Sequence, residues 1–271
     1  MERNGLNKVF IVGAGALGSN IAFQLLKMGF NVAIADGDIV EEKNLQLQPF
    51  YSRMNIGEPK VFALKKAFPE IIPIYAYVDG ENIQRFAENY EIIVDATDNL
   101  WSKYLLSWYS LEMGKRFISC GIRGREGIII KDVCVFCNVE FDITEGCGET
   151  NSTLDTVFIV SSLCSSLISE IDKKPEIYYY DGHYRSLMRF EPLRCSCENR
   201  PFDMFLTPYS CEYLGIRVLN ADNLEIESLK DGVAISCANG IKAFRLALNL
   251  RKMRYKAHFV MNNLCPYIQS Y

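Results

Sequence analysis

The sequence predicts an α/β fold with a mostly parallel β-sheet. Short apolar runs of strand length, such as 8–12 and 31–35, alternate with segments whose apolar residues recur at helical spacing. A glycine-rich turn joins the first run to its helix, and an aspartate follows the second run. Because the runs are apolar throughout, they indicate strands buried on both faces, as in parallel sheets. The predicted class is a Rossmann-like, doubly wound sheet.

The first strand–helix–strand unit has the pattern of a nucleotide-binding site. The turn after the first strand reads Gly13-Ala14-Gly15-Ala16-Leu17-Gly18. Glycines let the backbone approach phosphates, and the N-terminus of the following helix offers unpaired N–H groups to them. Asp36, which follows the second strand, can accept hydrogen bonds from a ribose. We therefore predict a nucleotide site here; a tight turn without a ligand is the alternative.

The rest of the chain continues the alternation. Further helices are predicted over 61–68, 82–90, 101–113, 153–171 and 239–255, and further strands over 73–78, 91–96, 116–120, 128–133, 177–181, 184–190, 216–219 and 224–228. The residues 138–153 are predicted to form a loop, and Asp181-Gly182 the turn of a hairpin. Because the pattern changes past residue 200, two domains are predicted, 1–200 and a small α+β extension over 201–271.

Composition and charge argue against several function classes. The net charge of −4 and the lack of a basic run give no reason to expect nucleic acid as a partner. The most apolar later stretch, 157–168, is too short for a membrane span and is interrupted by serines. The polar N-terminus does not look like a signal peptide, so a cytoplasmic protein is expected. In that compartment, ten cysteines are more often metal ligands, nucleophiles or core residues than a disulfide framework.

Polar residues follow the predicted strands where an open parallel sheet has its ligand crevice. Asp38 follows the second strand, and Asp98 and Asn99 follow the strand over 91–96. Asp38 is predicted to cap the next turn or to bind a metal ion, and a helix N-cap is the alternative role for Asp98. Lys60 opens a helix, where a positive charge is unfavourable for the helix dipole, and this indicates an anionic partner; a solvated lysine is the alternative.

Taken together, these motifs resemble the E1-like adenylating family, which includes the ubiquitin-activating core and the ThiF, MoeB and HesA proteins. The motifs occur in the family's order over residues 7–200. They are Gly13-x-Gly15-x-x-Gly18, Asp36-x-Asp38, Asn44-Leu-Gln-x-Gln48, Gly57-x-Pro-Lys60, Asp95-x-Thr-Asp98-Asn99, and Cys134-x-x-Cys137 with a later cysteine pair.

The resemblance implies that the protein uses ATP and Mg²⁺ to adenylylate a carboxylate, with release of pyrophosphate. In that reaction Asp36 holds the ribose, Asn44 and Lys60 face the phosphates, and Asp98 holds Mg²⁺. The catalytic residues that it implies are Asp98, Lys60 and Asn44. The nucleotide-binding residues that it implies are Gly13, Gly15, Gly18, Asp36, Asp38, Gln48, Lys60 and Asn99.

The cysteines add a second implication of the resemblance, a structural Zn²⁺ site that clamps the hairpin region. The four thiolates are Cys134, Cys137, Cys195 and Cys197. The later pair is one residue shorter than the usual spacing, so uncoordinated thiols are the alternative. Cys147 lies where sulfur-transferring relatives carry a reactive cysteine, and a nucleophile and an inert thiol both remain open. A homodimer is expected from the family.

The chain departs from the family pattern at phosphate-binding positions. Leu47 and Lys103 stand where arginines are usual, and only seven residues precede the first strand, so the family's N-terminal helix with its arginine is not expected. Arg53, Arg123 and Arg125 are candidates to replace these cations.

The substrate and the catalytic status are left open. The acid is the C-terminal glycine of a ubiquitin-like carrier or a small molecule, such as guanylylpyridinol in the HcgE-like branch of [Fe]-hydrogenase cofactor biosynthesis. A non-catalytic, nucleotide-binding partner protein is the second hypothesis. An NAD-dependent oxidoreductase, which Asp36 alone would permit, is the third.

Overall fold

The computed structural model describes residues 7–138, 152–170, 174–194, 217–220, 232–236, 243, 246–247, 250, 253 and 255–259. The chain divides into two compact units, Met1–Val78 with Arg85–Arg200 and Asp79–Gln84 with Pro201–Tyr271. In the part of the chain so described, no helix combines the length and the apolar character needed to span a membrane.

The first unit is built on one large sheet. Its strands are β1 (Lys8–Val12), β2 (Asn31–Ala35), β3 (Ile72–Ile74), β4 (Ile92–Asp95), β5 (Arg116–Arg123), β6 (Glu126–Lys131), β7 (Glu176–Asp181) and β8 (Ser186–Phe190). They are arranged in the order β3-β2-β1-β4-β5-β6-β7-β8. The pairs from β3 to β5 are parallel, and those from β5 to β8 are antiparallel. The direction of winding reverses beside β1, which makes its carboxyl end the expected ligand crevice.

Helices cover this sheet and bury its apolar strands. The described helices are α1 (Ala16–Lys27), α2 (Lys60–Ala67), α3 (Ile83–Ala87), α4 (Leu100–Glu112), α5 (Val135–Asn138) and α6 (Leu154–Ser169), with 3₁₀ turns at Glu42–Asn44 and Arg53–Asn55. α1 packs against α6, and its residues Leu17, Ile21 and Leu25 join the core with the inner residues of β1 and β2. The predicted doubly wound α/β class is confirmed.

Several strand ends differ from the prediction, and the pairing explains those of β3 and β5. β1 and β2 have the predicted bounds, but β3 ends at Ile74 because its partner β2 ends opposite it, at Ala35. β5 extends past its parallel pairing with β4, which ends at Ser119, because its last residues pair with β6 in an antiparallel hairpin. The predicted hairpin at Asp181-Gly182 is the β7–β8 pair.

The C-terminal part contains three further strands among the described residues. These are β9 (Arg217–Asn220), β10 (Val233–Ser236) and β11 (Ala257–Phe259), in the order β11-β10-β9 and all parallel. Residues 243, 246–247 and 250, between β10 and β11, are helical. The strands described here are therefore parallel, and the expected α+β class of 201–271 stays a prediction. The predicted strand over 224–228 and most of the predicted loop over 138–153 lie outside the described residues.

Candidate functional site

The glycine loop makes a sharp turn from β1 into α1. Gly13 has a φ of +99°, and a Cβ atom added there would lie 2.7 Å from the carbonyl oxygen of Ala96. A Cβ atom on Gly18 would overlap the carbonyl oxygen of Gly13. Both positions therefore require glycine because of the protein's own packing, whether or not a ligand is bound.

Gly15 has a different environment. The described atom nearest to a Cβ added there, apart from its chain neighbours, is Nε2 of Gln48 at 4.0 Å. The conformation of Gly15 is extended, which any residue can adopt. Packing within the described part of the chain therefore does not require glycine here, and the space over Gly15 is open to a ligand.

Gln48 borders this open space and has an unpaired polar atom. The residue is 9% exposed, and its Oε1 has no hydrogen-bond partner within the described part of the structure. A buried, unpaired acceptor costs about 1–3 kcal/mol, which a donor on a ligand would offset. In Gln48, Nε2 is therefore the atom that borders the open space, whereas the unpaired Oε1 is buried.

Asp36 ties the end of β2 to the glycine loop. Its Oδ2 accepts a hydrogen bond from the backbone N–H of Ala14 at 2.6 Å, and its Oδ1 accepts one from that of Asp38 at 2.7 Å. Burial raises the pKa of Asp36, although the positive charge of Lys60 and the two N–H groups act in the opposite direction. Each carboxylate oxygen keeps a further lone pair, so Asp36 can still accept hydrogen bonds from a ribose.

Lys60 has an anionic partner within the protein. It is the first residue of α2, is 7% exposed, and its Nζ lies 2.9 Å from Oδ2 of Asp38. Burial raises the pKa of Asp38, but the hydrogen bonds from Lys60 and Tyr77 outweigh it and lower that pKa overall. The anion that the position of Lys60 at the start of α2 predicts is therefore present within the protein, as Asp38.

Two tyrosines that the sequence did not mark fix the surroundings of the loop. The hydroxyl of Tyr51 donates to the carbonyl oxygen of Ala14 at 2.7 Å, and that of Tyr77 donates to Oδ1 of Asp38 at 2.8 Å. Burial raises the pKa of both hydroxyls. No spacing rule singles out an isolated tyrosine in a loop, so a single sequence carries no signal for either.

The residues at the end of β4 and just after it are of two kinds. Some make hydrogen bonds within the protein, and one is exposed. Asp95 is fully buried, and its Oδ1 accepts hydrogen bonds from the backbone N–H of Thr97 at 3.1 Å and from its hydroxyl at 2.7 Å. Oδ1 of Asn99 caps α4 by accepting from the backbone N–H of Ser102 at 2.8 Å. Asp98 is exposed, and its carboxylate makes no hydrogen bond to the described part of the chain. The N-cap alternative for Asp98 is therefore wrong, because Asn99 has that role.

Comparison with known proteins identifies the family. The model of the ThiF family matches residues 3–198. The chain belongs to the ThiF family. The resemblance inferred from the motifs is thus confirmed.

Two curated relatives each match less than half of the chain. It is 34% identical over 128 residues to "Adenylyltransferase and sulfurtransferase MOCS3-2" of Zea mays, covering 45% of this chain and 27% of that protein. It is 35% identical over 133 residues to "Probable molybdopterin-synthase adenylyltransferase" of Porphyra purpurea, covering 46% and 35%. The chain therefore spans about a third or less of the length of these relatives.

Solved structures share the fold of this ThiF-family chain. The structure of E. coli MccB with MccA-N7isoASN gives a TM-score of 0.61 at 18% identity, covering 70% of this chain and 66% of that one. The structure of E. coli MccB with ATP gives a TM-score of 0.59 at 17% identity, with the same coverage. At this identity the likeness supports the fold alone.

At the two positions where the ThiF family usually has arginine, this chain has residues whose side chains pack within the protein. Leu47 packs against the hydrophobic core. Lys103 is 8% exposed, and its Nζ lies 2.9 Å both from Oδ2 of Asp95 and from the carbonyl oxygen of Cys120. Neither residue supplies an exposed positive charge.

Asn44 has a structural contact in the described structure. Its Oδ1 accepts a hydrogen bond from the backbone N–H of Glu41 at 2.9 Å and so caps the Glu42–Asn44 turn. Its carbonyl oxygen accepts from the backbone N–H of Gln48 at 3.0 Å. This hydrogen bond connects the turn that contains Asn44 to Gln48, which borders the open space over Gly15.

The cysteine positions are only partly described. Cys134 is buried just before α5, and Cys137 is half-buried within it. Cys195, Cys197 and Cys147 lie outside the described residues. Among the residues that are described, no group of three or more His, Cys, Asp or Glu side chains could hold a metal ion.

Proposed function

We propose that the chain uses ATP to adenylylate a carboxylate. The observation that carries this proposal is the open space over Gly15 at the switch point of the sheet, bordered by Nε2 of Gln48. Membership of the ThiF family supports it, and so do the adenylyltransferase names of the matched relatives. A phosphate chain over Gly15 would lie at the N-terminus of α1, where backbone N–H groups bind anions.

Each residue of the site has a role in this proposal. Asp36 would hold the ribose, while its hydrogen bonds to Ala14 and Asp38 keep the loop in place. Lys60 would exchange Asp38 for a phosphate oxygen. Asn44, Gln48 and Asn99 complete the proposed contacts with the nucleotide.

Asp98 fits the proposed Mg²⁺ ligand. Its carboxylate is exposed and makes no hydrogen bond to the described residues, and Mg²⁺ in nucleotide sites commonly takes one or two carboxylates besides phosphate oxygens. The metal would neutralise phosphate charge during the reaction. The substrate carboxylate would attack the α-phosphorus, the bond from that phosphorus to the bridging oxygen would break, and pyrophosphate would leave with the electron pair.

The proposed acid is a small molecule, such as guanylylpyridinol, or the C-terminal glycine of a ubiquitin-like carrier. The names of the relatives, which include molybdopterin-synthase adenylyltransferase, are compatible with the second class, and the departures at Leu47 and Lys103 favour divergence from it. A homodimer, a cytoplasmic location and a separate role for 201–271 remain predictions.

Exchange of ³²P-pyrophosphate into ATP tests the proposed reaction. With the correct acid present, we expect Asp98→Ala to lower the exchange rate by at least about 100-fold, because it removes the proposed metal ligand. Glu112→Ala, an exposed acid at the other end of α4, is the matched control and should exchange like wild type.

The two classes of acid are offered in parallel in that assay. Exchange that requires one acid and is lost in Asp98→Ala would establish adenylylation and identify the substrate class. Binding of ATP without exchange for any acid would instead favour the non-catalytic partner protein. Failure to bind ATP would contradict the proposal, and tight binding of NADH would revive the oxidoreductase.

We also propose the structural Zn²⁺ site of four cysteines. Its support is the reciprocal pairing of Asn138, next to Cys137, with Leu193, two residues before Cys195 in the sequence. The backbone N–H of Leu193 donates to Oδ1 of Asn138 at 2.6 Å, and Nδ2 of Asn138 donates to the carbonyl oxygen of Leu193 at 3.3 Å. These two hydrogen bonds hold Leu193, and so the segment just before the second cysteine pair, next to α5.

Metal analysis tests the zinc proposal. The purified protein is expected to contain about one Zn²⁺ per chain, and Cys137→Ser to lose most of it, because a structural site needs all four of its ligands. Cys164→Ala, which changes a buried core cysteine of α6, is the control and should retain the metal. Wild-type protein without zinc, or equal zinc in both variants, would contradict this site.

A further inference from the structure

Tyr77, which follows β3, lies face-on against the loop that follows β2. A Cβ atom added to Gly37 would lie 2.6 Å from each of three consecutive ring carbons of Tyr77, Cγ, Cδ2 and Cε2. A point at equal distances from three neighbouring ring atoms lies over the centre of the ring, so the ring covers Gly37. The backbone of Gly37 does not have the left-handed conformation that favours glycine. It is therefore the ring of Tyr77 that requires glycine at this position.

The hydroxyl of Tyr77 holds the carboxylate of Asp38. It donates to Oδ1 at 2.8 Å, while Nζ of Lys60 donates to Oδ2 at 2.9 Å. The two oxygens therefore have different partners, and a carboxylate held at both oxygens has a defined orientation. Because 51% of the Asp38 side chain is exposed, packing alone does not set this orientation. The tyrosine hydroxyl is thus part of what directs Oδ2 toward Lys60.

The backbone of Asp38 is fixed on both sides. Its N–H donates to Oδ1 of Asp36 at 2.7 Å, and its carbonyl oxygen accepts from the backbone N–H of Lys60 at 3.0 Å. Asp36 in turn accepts from the N–H of Ala14 in the glycine loop. With the backbone held in this way, Tyr77 affects where the carboxylate of Asp38 points, and with it where Nζ of Lys60 lies.

We infer that Tyr77 is a positioning residue of the nucleotide site: its hydroxyl holds the carboxylate of Asp38, which places Nζ of Lys60 for contact with the phosphates of ATP. The inference rests on the proposed function, in which Lys60 exchanges Asp38 for a phosphate oxygen. After that exchange Asp38 has lost its cation, and the hydrogen bond from Tyr77 remains to stabilise the carboxylate charge. Tyr77 thereby keeps Asp38 from following Lys60 toward the phosphates.

Calorimetric titration of ATP and of adenosine tests this role. Tyr77→Phe keeps the ring over Gly37 and removes only the hydroxyl. It is expected to weaken ATP binding by about 5- to 20-fold, less than the full effect of a hydrogen bond to a charged group, because water reaches the half-exposed Asp38. Adenosine binding should not change, since adenosine has no phosphate for Lys60. Tyr75→Phe is the matched control and should bind ATP like wild type, since Tyr75 is 50% exposed and Tyr77 is 47% exposed.

The same substitution in an Asp38→Ala background tests whether Tyr77 acts through Asp38. Lys60 is still present there to bind ATP, and Tyr77→Phe is expected to cause no further loss of affinity, because the acceptor of the hydroxyl is gone. Equal weakening in both backgrounds, wild-type ATP affinity in Tyr77→Phe, or a matching loss of adenosine affinity would overturn the inference and leave the proposed function intact. If the wild-type protein bound no ATP, both would fail together.

Discussion

Replacing Lys103 with methionine is expected to lower the free energy of unfolding by about 3–5 kcal/mol. The reason is that Asp95 is fully buried and would lose the cation that compensates its charge. The hydroxyl of Ser119 and the two hydrogen bonds from Thr97 would remain, but none of these carries a positive charge. Urea denaturation measures the loss directly.

Two comparisons make this expectation specific. Lys66→Met removes an exposed ion pair and is expected to change stability by less than about 1 kcal/mol. The double variant Asp95→Asn/Lys103→Met removes both charges, so it should be more stable than Lys103→Met alone. A single variant as stable as Lys66→Met, or a double variant no better than the single one, would show that the pair does not have this role.

Replacing Gly18 with alanine is expected to lower stability, whereas replacing Gly15 with alanine is expected to weaken ATP binding. Gly18→Ala should destabilise the fold by several kcal/mol, roughly the cost of severe overpacking, because the Cβ would overlap the backbone oxygen of Gly13. Gly15→Ala should fold with nearly unchanged stability, since the nearest described atom is 4.0 Å away. It should nonetheless weaken ATP binding by at least about 10-fold, because the methyl group would occupy the space proposed for phosphates.

Thermal unfolding and ATP titration of both variants separate protein packing from ligand contact. A stable Gly18→Ala would contradict the close approach of α1 to the loop. A Gly15→Ala variant that binds ATP as wild type would mean that the phosphates do not lie over Gly15. Gly124→Ala is unsuitable as a control because its φ of +60° introduces backbone strain of its own.

The first half of the fold could be predicted closely from the sequence, because buried parallel strands are short apolar runs bounded by clear turns. β1 and β2 have the predicted bounds for this reason. The ends of β3 and β5 could not be predicted, since they depend on where a partner strand stops or begins. The same limit applies to the parallel pairing of β9, β10 and β11, which no local pattern encodes.

Sequence motifs indicate which residues belong to the candidate site. They do not indicate which contacts those residues make with the rest of the protein. The motifs marked the glycine loop and Asp36, and the structure brings them together through the hydrogen bond from the Ala14 N–H to Asp36. They could not show that Lys103 is buried against Asp95 or that Asn99 caps α4, because both facts depend on packing between elements.

The hydrogen bonds of Asp36 limit how this site can be redesigned. The carboxylate that would select the sugar also holds the backbone of Ala14, inside the loop proposed to bind phosphates. A substitution chosen to admit a different sugar would therefore change the shape of the loop as well. In the proposed site, sugar preference and phosphate affinity would be coupled through one side chain. An engineered change of nucleotide would then need a compensating acceptor for the Ala14 N–H.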